Sequence, residues 1–171
     1  MSRIALISCI SLKKRYECPA IELYSKSPTF RLAYTFANLA ADEIYILSAK
    51  YGLVHKDTVL APYNDTLLDK SEDEKKAWSK GVLAQLDKIV SLKKDEFVIL
   101  AGKNYCKYLL PVIINYWLPL EGKRQGERQP ALQRLIALER ETKLCKAVHL
   151  FFNMLPRMNY QMIEKSFSQQ E

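Results

Sequence analysis

Glycine is scarce in this chain, five among 171 residues, and histidine scarcer still, with two. So few glycines leave no Gly-rich nucleotide fingerprint: neither G-x-x-x-x-G-K-[ST] nor G-x-G-x-x-G occurs. The G-x-S-x-G nucleophile elbow is missing too. His55 and His149 are too few to build a metal site without carboxylates that the sequence does not place, and no cofactor is called for. Cys9, Cys18, Cys106 and Cys145 lack the two-residue spacing of a zinc knuckle or redox dithiol, so a reduced, cytoplasmic protein is expected. No apolar run is long enough to cross a bilayer, the longest being cut by Pro111 and Asn115, so no membrane partner is expected. The opening "MSRIALISCI" has no small-residue cleavage site and reads as a first strand, not a signal peptide.

Apolar residues make up 49% of the chain, enough to bury a core without disulfides or a metal, and the length suits one domain over residues 1–171. Lysines and arginines exceed aspartates and glutamates by seven. Residues 1–100 hold 15 basic and 13 acidic groups, and residues 101–171 hold 11 and 6, so the excess gathers towards the C-terminal part. That bias favours an acidic partner, a nucleic acid or a phosphorylated ligand.

The order of elements reads strand, helix, strand, helix, strand. "RIALIS" (3–8) is a short apolar strand. Ser27 followed by Pro28 opens a helix over 28–41, since proline at the first helical position forfeits no hydrogen bond. "DEIYILS" (42–48) is a second strand, and residues 49–70 form a long connection of the kind that is usually functional. Ser71 and Glu74 have capping-box spacing ahead of a helix over about 72–91, with Trp78, Val82, Leu86 and Ile89 on one face. "EFVILAG" (96–102) is a third strand, and a helix from Asn104 ends near Pro111. "VIINYWL" (112–118) is either a fourth strand or more helix, its β-branched residues favouring strand. Residues 128–153 read as two helices or one kinked helix, with a tail frayed from about 157. Such alternation implies a three-layer α/β sandwich, a small, mostly parallel sheet of three or four strands flanked by helices, Rossmann-like in outline.

Ligands of open parallel sheets bind beyond the carboxyl ends of the strands, so the loops after each strand are the ones to read. They hold Ser8, Cys9, Ser11, Lys13 and Lys14 after the first strand, and Ser48, Lys50, Tyr51 and Gly52 after the second. Gly102, Lys103 and Tyr105 follow the third, and Glu121, Gly122, Arg124 and Arg128 follow the possible fourth. Gly52, Gly102, Gly122 and Gly126, four of the five glycines, fall in these loops, where backbone N–H groups can approach an anion. Lys13, Lys14, Lys50, Arg124 and Arg128 are read as phosphate contacts. Tyr51 and Tyr63 are read as stacking on a base, with packing the alternative. Glu22 and Asp65 are the candidates for moving a proton or activating water, and Cys9 for a nucleophile.

In order, "LISCISLKK", "PAIELYSKSPTFRLAYTFA", "YILSAKYGLV", "APYNDTL", "LAGKNY" and "LPLEGKRQGERQPAL" resemble a bacterial and phage domain family of unknown function. Ser48, Tyr51, Gly52 and Leu53, followed by Pro62 and Tyr63, are similar to a block of the YaaA-like peroxide stress resistance family. That resemblance implies DNA binding and a role in oxidative stress. The architecture further resembles uracil-DNA-glycosylase-like domains, a likeness of fold alone. The expectation is a nucleic-acid- or nucleotide-binding protein, in the first reading a glycosylase- or nucleosidase-like hydrolase acting on a nucleobase or its N-glycosidic bond. The alternatives are a non-catalytic DNA-binding stress protein and a small-metabolite enzyme. The oligomeric state is left open.

Overall fold

The computed structural model describes the backbone of residues 1–167 and the side chains of residues 1–148. Its contacts divide the chain into two units, Met1–Ile136 and Ala137–Glu171.

The first unit is built on β1 (Arg3–Ser8), where four consecutive residues, Ile4 to Ile7, are buried. A strand buried on both faces needs neighbours on both edges and layers on both sides. β1 pairs in parallel with β3 (Glu43–Ser48) on one edge and with β6 (Glu96–Leu100) on the other. β7 (Tyr116–Trp117) continues the sheet in parallel beyond β6, and β4 (Gly52–His55) pairs antiparallel with β3, giving the order β4-β3-β1-β6-β7. A separate antiparallel pair joins β2 (Cys18–Pro19) to β5 (Val59–Leu60), with the one-turn α1 (Ala20–Leu23) following β2.

Successive strand residues point to opposite faces, and the core divides accordingly. Ala5, Ile7, Ile44, Ile46 and Val98 meet Phe30, Ala33, Phe36 and Ala37 of α2 (Pro28–Ala40) and Leu132 and Ile136 of α5 (Gln125–Phe167). Ile4, Leu6, Leu47, Phe97 and Ile99 meet Val82 and Leu86 of α3 (Glu72–Leu86), together with Leu109 and Ile113. The result is the three-layer α/β sandwich that the strand–helix alternation implies.

The start signals hold. Ser27 Oγ accepts from the Phe30 N–H at 3.2 Å, with Pro28 next in line. Ser71 and Glu74 form a reciprocal capping box at 3.3 and 2.8 Å. Ends and short elements differ more. α3 stops at Leu86, leaving Ile89 exposed instead of on the helix face. The helix expected from Asn104 is one turn, α4 (Lys103–Cys106), and only Tyr116–Trp117 of residues 112–118 is strand. α5 begins three residues before the expected start and forms one helix where two or a kinked one were expected. Its backbone is helical through Phe167, and the rest of the expected frayed tail lies outside the described residues.

The second unit, described by itself, is the remainder of α5, where the Thr142 hydroxyl donates to the Leu138 carbonyl at 2.9 Å. Among the described residues no helix is long and apolar enough to cross a membrane.

Candidate ligand-binding cleft

From β1 the chain passes through α2 to β3 on one edge, then through α3 to β6 on the other. Successive connections therefore diverge between β1 and β6, the switch point at which open α/β sheets form a crevice. A cleft of about 700 Å³ opens there, within the usual size of a small-molecule site. The end of β1 supplies Ser8 to its wall, the loop after it Cys9, Ser11 and Lys13, and the start of α2 Thr29. The segment after β5 contributes Asp65, Thr66 and Asp69. The end of β6 and α4 contribute Gly102, Lys103 and Tyr105, and the start of α5 contributes Gln125 and Arg128. The N-termini of α2 and α5 both reach this wall, which adds the positive ends of their dipoles to the positive side chains.

Lys13, Lys103 and Arg128 all line the cleft, and among the described residues none is in an ion pair. Lys13 Nζ lies 4.4 Å from the centre of the Tyr63 ring and 5.8 Å from that of Tyr24. Burial lowers the Lys13 pKa, an effect opposed by the neighbouring Cys9 and Asp65. The Asp65 carboxylate is held by Lys70 at 3.2 Å. Arg128 Nε is buried and reaches no acceptor among the described residues.

Behind the wall lies a run of buried hydroxyls. Tyr24 OH is 2.6 Å from Tyr63 OH, which is 2.8 Å from Ser48 Oγ. Ser48 is fully buried, and its oxygen also accepts from the N–H groups of Lys50 and Tyr51 at 3.2 and 3.0 Å. Trp78 Nε1 donates to the Ser48 carbonyl at 2.8 Å, and its ring meets Tyr105 edge-on. Tyr105 OH lies 3.1 Å from Cys9 Sγ. Burial pushes the Tyr24, Tyr63 and Tyr105 phenols well above their ordinary pKa, so all three are protonated at neutral pH and able to donate.

Of the residues singled out in the sequence, Ser8, Cys9, Ser11, Lys13, Asp65, Gly102, Tyr105 and Arg128 come together in this cleft. Ser48 and Tyr63 support its wall from behind. Lys14 and Glu22 are not part of the lining: they pair with each other at 3.0 Å, Glu22 is half exposed, and Lys14 lies by the Tyr16 ring. Lys50 and Tyr51 occupy the tip of the β3–β4 hairpin outside the lining, with the Tyr51 ring edge-on to Tyr63 at 5.4 Å. Gly52, with φ of 73°, makes that three-residue turn possible. Glu121 and Gly122 line an adjoining cavity of about 350 Å³. Arg124 is exposed at the α5 cap, its N–H donating to Glu127 Oε2 at 2.7 Å.

Thr29, Asp69 and Gln125 were missed from the sequence. Thr29 and Gln125 had a usable signal: both open helices that follow strand-end loops, and helix N-termini in a parallel α/β layer point to the ligand end. Among the described residues no group of three or more His, Cys, Asp or Glu side chains is placed to hold a metal ion.

No curated protein and no solved structure matches this chain. A family model does match, over residues 4–134, a span from the second residue of β1 into α5 that includes every residue of the cleft wall. The chain therefore belongs to the Family of unknown function (DUF6884).

Proposed function

We propose that this protein binds a phosphorylated, nucleotide-like ligand in the cleft and hydrolyses its N-glycosidic bond. The observation that carries the reading is the set of three cations, Lys13, Lys103 and Arg128, lining one cavity at the sheet's switch point, none of them in a salt bridge among the described residues and outnumbering the two carboxylates of the wall, Asp65 and Asp69. Charges brought together in a concave wall are costly unless an anion joins them. The cavity's size suits a nucleotide held whole. Asp65 is then the group that accepts a proton from water as the oxygen adds to the sugar carbon. The carbon–nitrogen electron pair leaves with the base, which takes up a proton. Donors near Ser8 and Ser11 and the Tyr105 hydroxyl would stabilise charge as it develops. The free thiols of Cys9, Cys18, Cys106 and Cys145 suit a reducing, cytoplasmic setting.

The test is base release from nucleoside monophosphates, with Asp65→Asn as the variant. Turnover should fall at least roughly a hundredfold while affinity stays within about threefold. Equal loss of turnover and affinity would overturn the catalytic role of Asp65.

One observation favours a second reading, a non-catalytic DNA-binding stress protein of bacterial or phage origin. Lys50 and Tyr51 are exposed at the hairpin tip, within the block similar to the peroxide stress resistance family. A cation beside an exposed ring suits a phosphate and a stacked base. In that case affinity for single-stranded DNA should fall steeply with salt and depend on Tyr51 more than on Lys13.

A further inference from the structure

The cleft shares a wall with the smaller cavity: Gly102, Lys103, Leu120 and Arg128 line both. Their linings differ in character. The larger space has hydroxyls, carboxylates and Lys13 beside apolar side chains such as Ile7, Phe30 and Leu100, whereas Ile99, Ala101, Leu110 and Leu118 border the smaller one, which has no hydroxyl among the described residues of its lining. The charged groups of the smaller cavity are Lys103, Lys123 and Arg128, which donate, and Glu121, which accepts. Cys106 on its wall gives its thiol hydrogen to the Ala101 carbonyl, 3.6 Å away, and burial pushes that thiol up to about 11. Arg128 Nε, on the dividing wall, is buried and finds no acceptor among the described residues. Buried donors in folded proteins nearly always have a partner, and an unmatched one calls for an explanation.

We infer that the smaller cavity is the subsite for the nucleobase of the same ligand, a planar body with an acceptor on its edge that Arg128 Nε–H meets, while the sugar and phosphate lie in the larger cleft. The inference rests on the nucleotide reading above and adds which space holds which half. A planar heteroaromatic group fits apolar walls with a small number of directed polar contacts. Arg128 thus serves both halves, its charge turned towards the phosphate and its Nε towards the base.

The experiment compares ribose 5-phosphate, which fills the cleft alone, with the nucleoside 5′-monophosphates by calorimetry. The best nucleotide should bind roughly tenfold or more tightly than ribose 5-phosphate. Ala101→Leu, which fills the smaller cavity from its wall, should remove that advantage and leave ribose 5-phosphate binding unchanged. Leu110→Phe fills the cavity from another wall and should do the same, which keeps the test valid if one variant folds poorly. Arg128→Lys keeps the charge and loses the Nε donor, so nucleotide affinity should fall more than ribose 5-phosphate affinity. If both filling variants bind nucleotides as well as the parent, the base subsite is wrong and the cleft reading stands. Equal weakening of both ligands likewise overturns the subsite. If neither ligand binds the parent protein, both readings fall.

Discussion

Lys13 Nζ sits 4.4 Å from the centre of the Tyr63 ring. The lysine comes from the loop after β1 and the tyrosine from the segment after β5, so the contact ties two separate parts of the chain to one wall of the cleft. It also keeps an ammonium group half buried outside salt-bridge range of any carboxylate among the described residues, stabilised by a ring face that cannot neutralise it and by the more distant charge of Asp65.

Lys13→Met should therefore separate ligand binding from folding. Phosphate-ligand affinity should drop roughly tenfold or more, as expected when a charged contact is lost. Stability should hold or rise at neutral pH. The sign follows from the lowered pKa: below it, the folded state holds a proton less readily than the unfolded chain, whose lysine titrates near 10.5. Lys13 thus penalises folding below its lowered pKa, and the penalty disappears as pH rises to 10.5. Denaturation curves across that window should rise with pH more steeply for the parent than for Lys13→Met.

Tyr63→Phe should destabilise the first unit by about 1–3 kcal/mol, because the buried Tyr24 hydroxyl and Ser48 Oγ both lose a partner. Ser48→Ala should cost a similar amount, about 1–3 kcal/mol, since it also strips an acceptor from two hairpin N–H groups. Urea denaturation of the double variant should give a loss smaller than the sum, by about 0.5–3 kcal/mol. Strict additivity would mean that the hydroxyl run does not act as a unit.

Gly52→Ala meets two obstacles. Its φ of 73° strains any side chain, and the added Cβ would lie 2.5 Å from Gln85 Oε1. That oxygen accepts from the Leu53 N–H at 2.8 Å, so it cannot move without breaking a bond. The backbone alone should cost about 1–2 kcal/mol. Introducing the change into Gln85→Ala should leave only that part, a difference readable in thermal melts.

Acid stability should depend on Glu72. Its carboxylate takes hydrogen bonds from Lys107, Tyr108 and Lys75, which lower its pKa from 4.5 to about 2. A lowered carboxylate stabilises the folded state above pH 4.5 and loses that contribution as pH falls towards 2. Glu72→Gln should flatten the stability profile between those values and leave its slope near neutrality unchanged. The group is exposed, so salt should weaken the effect.

Ile4 to Ile7 announce a strand buried on both faces, and Ser27–Pro28 and Ser71–Glu74 announce helix starts, because these signals are local: hydrophobic period and cap chemistry act over a turn or two. The strand-end rule grouped Ser8, Cys9, Ser11, Lys13, Gly102 and Tyr105, and all six line the one cleft. The same rule gave no distance across the strand ends. Glu22 follows the first strand as Lys13 does, yet it pairs with Lys14 away from the cleft.

The sequence by itself determined the layers and the alternation of the three central strands with their helices, since each follows from short-range pattern and the handedness of parallel connections. Only the tertiary structure decided that residues 52–55 turn back as β4, that Ser48 is sealed beneath Tyr63, and that Arg128 stands between two cavities. Those outcomes depend on which segments pack against one another, and packing between residues tens of positions apart leaves no periodic trace in the chain.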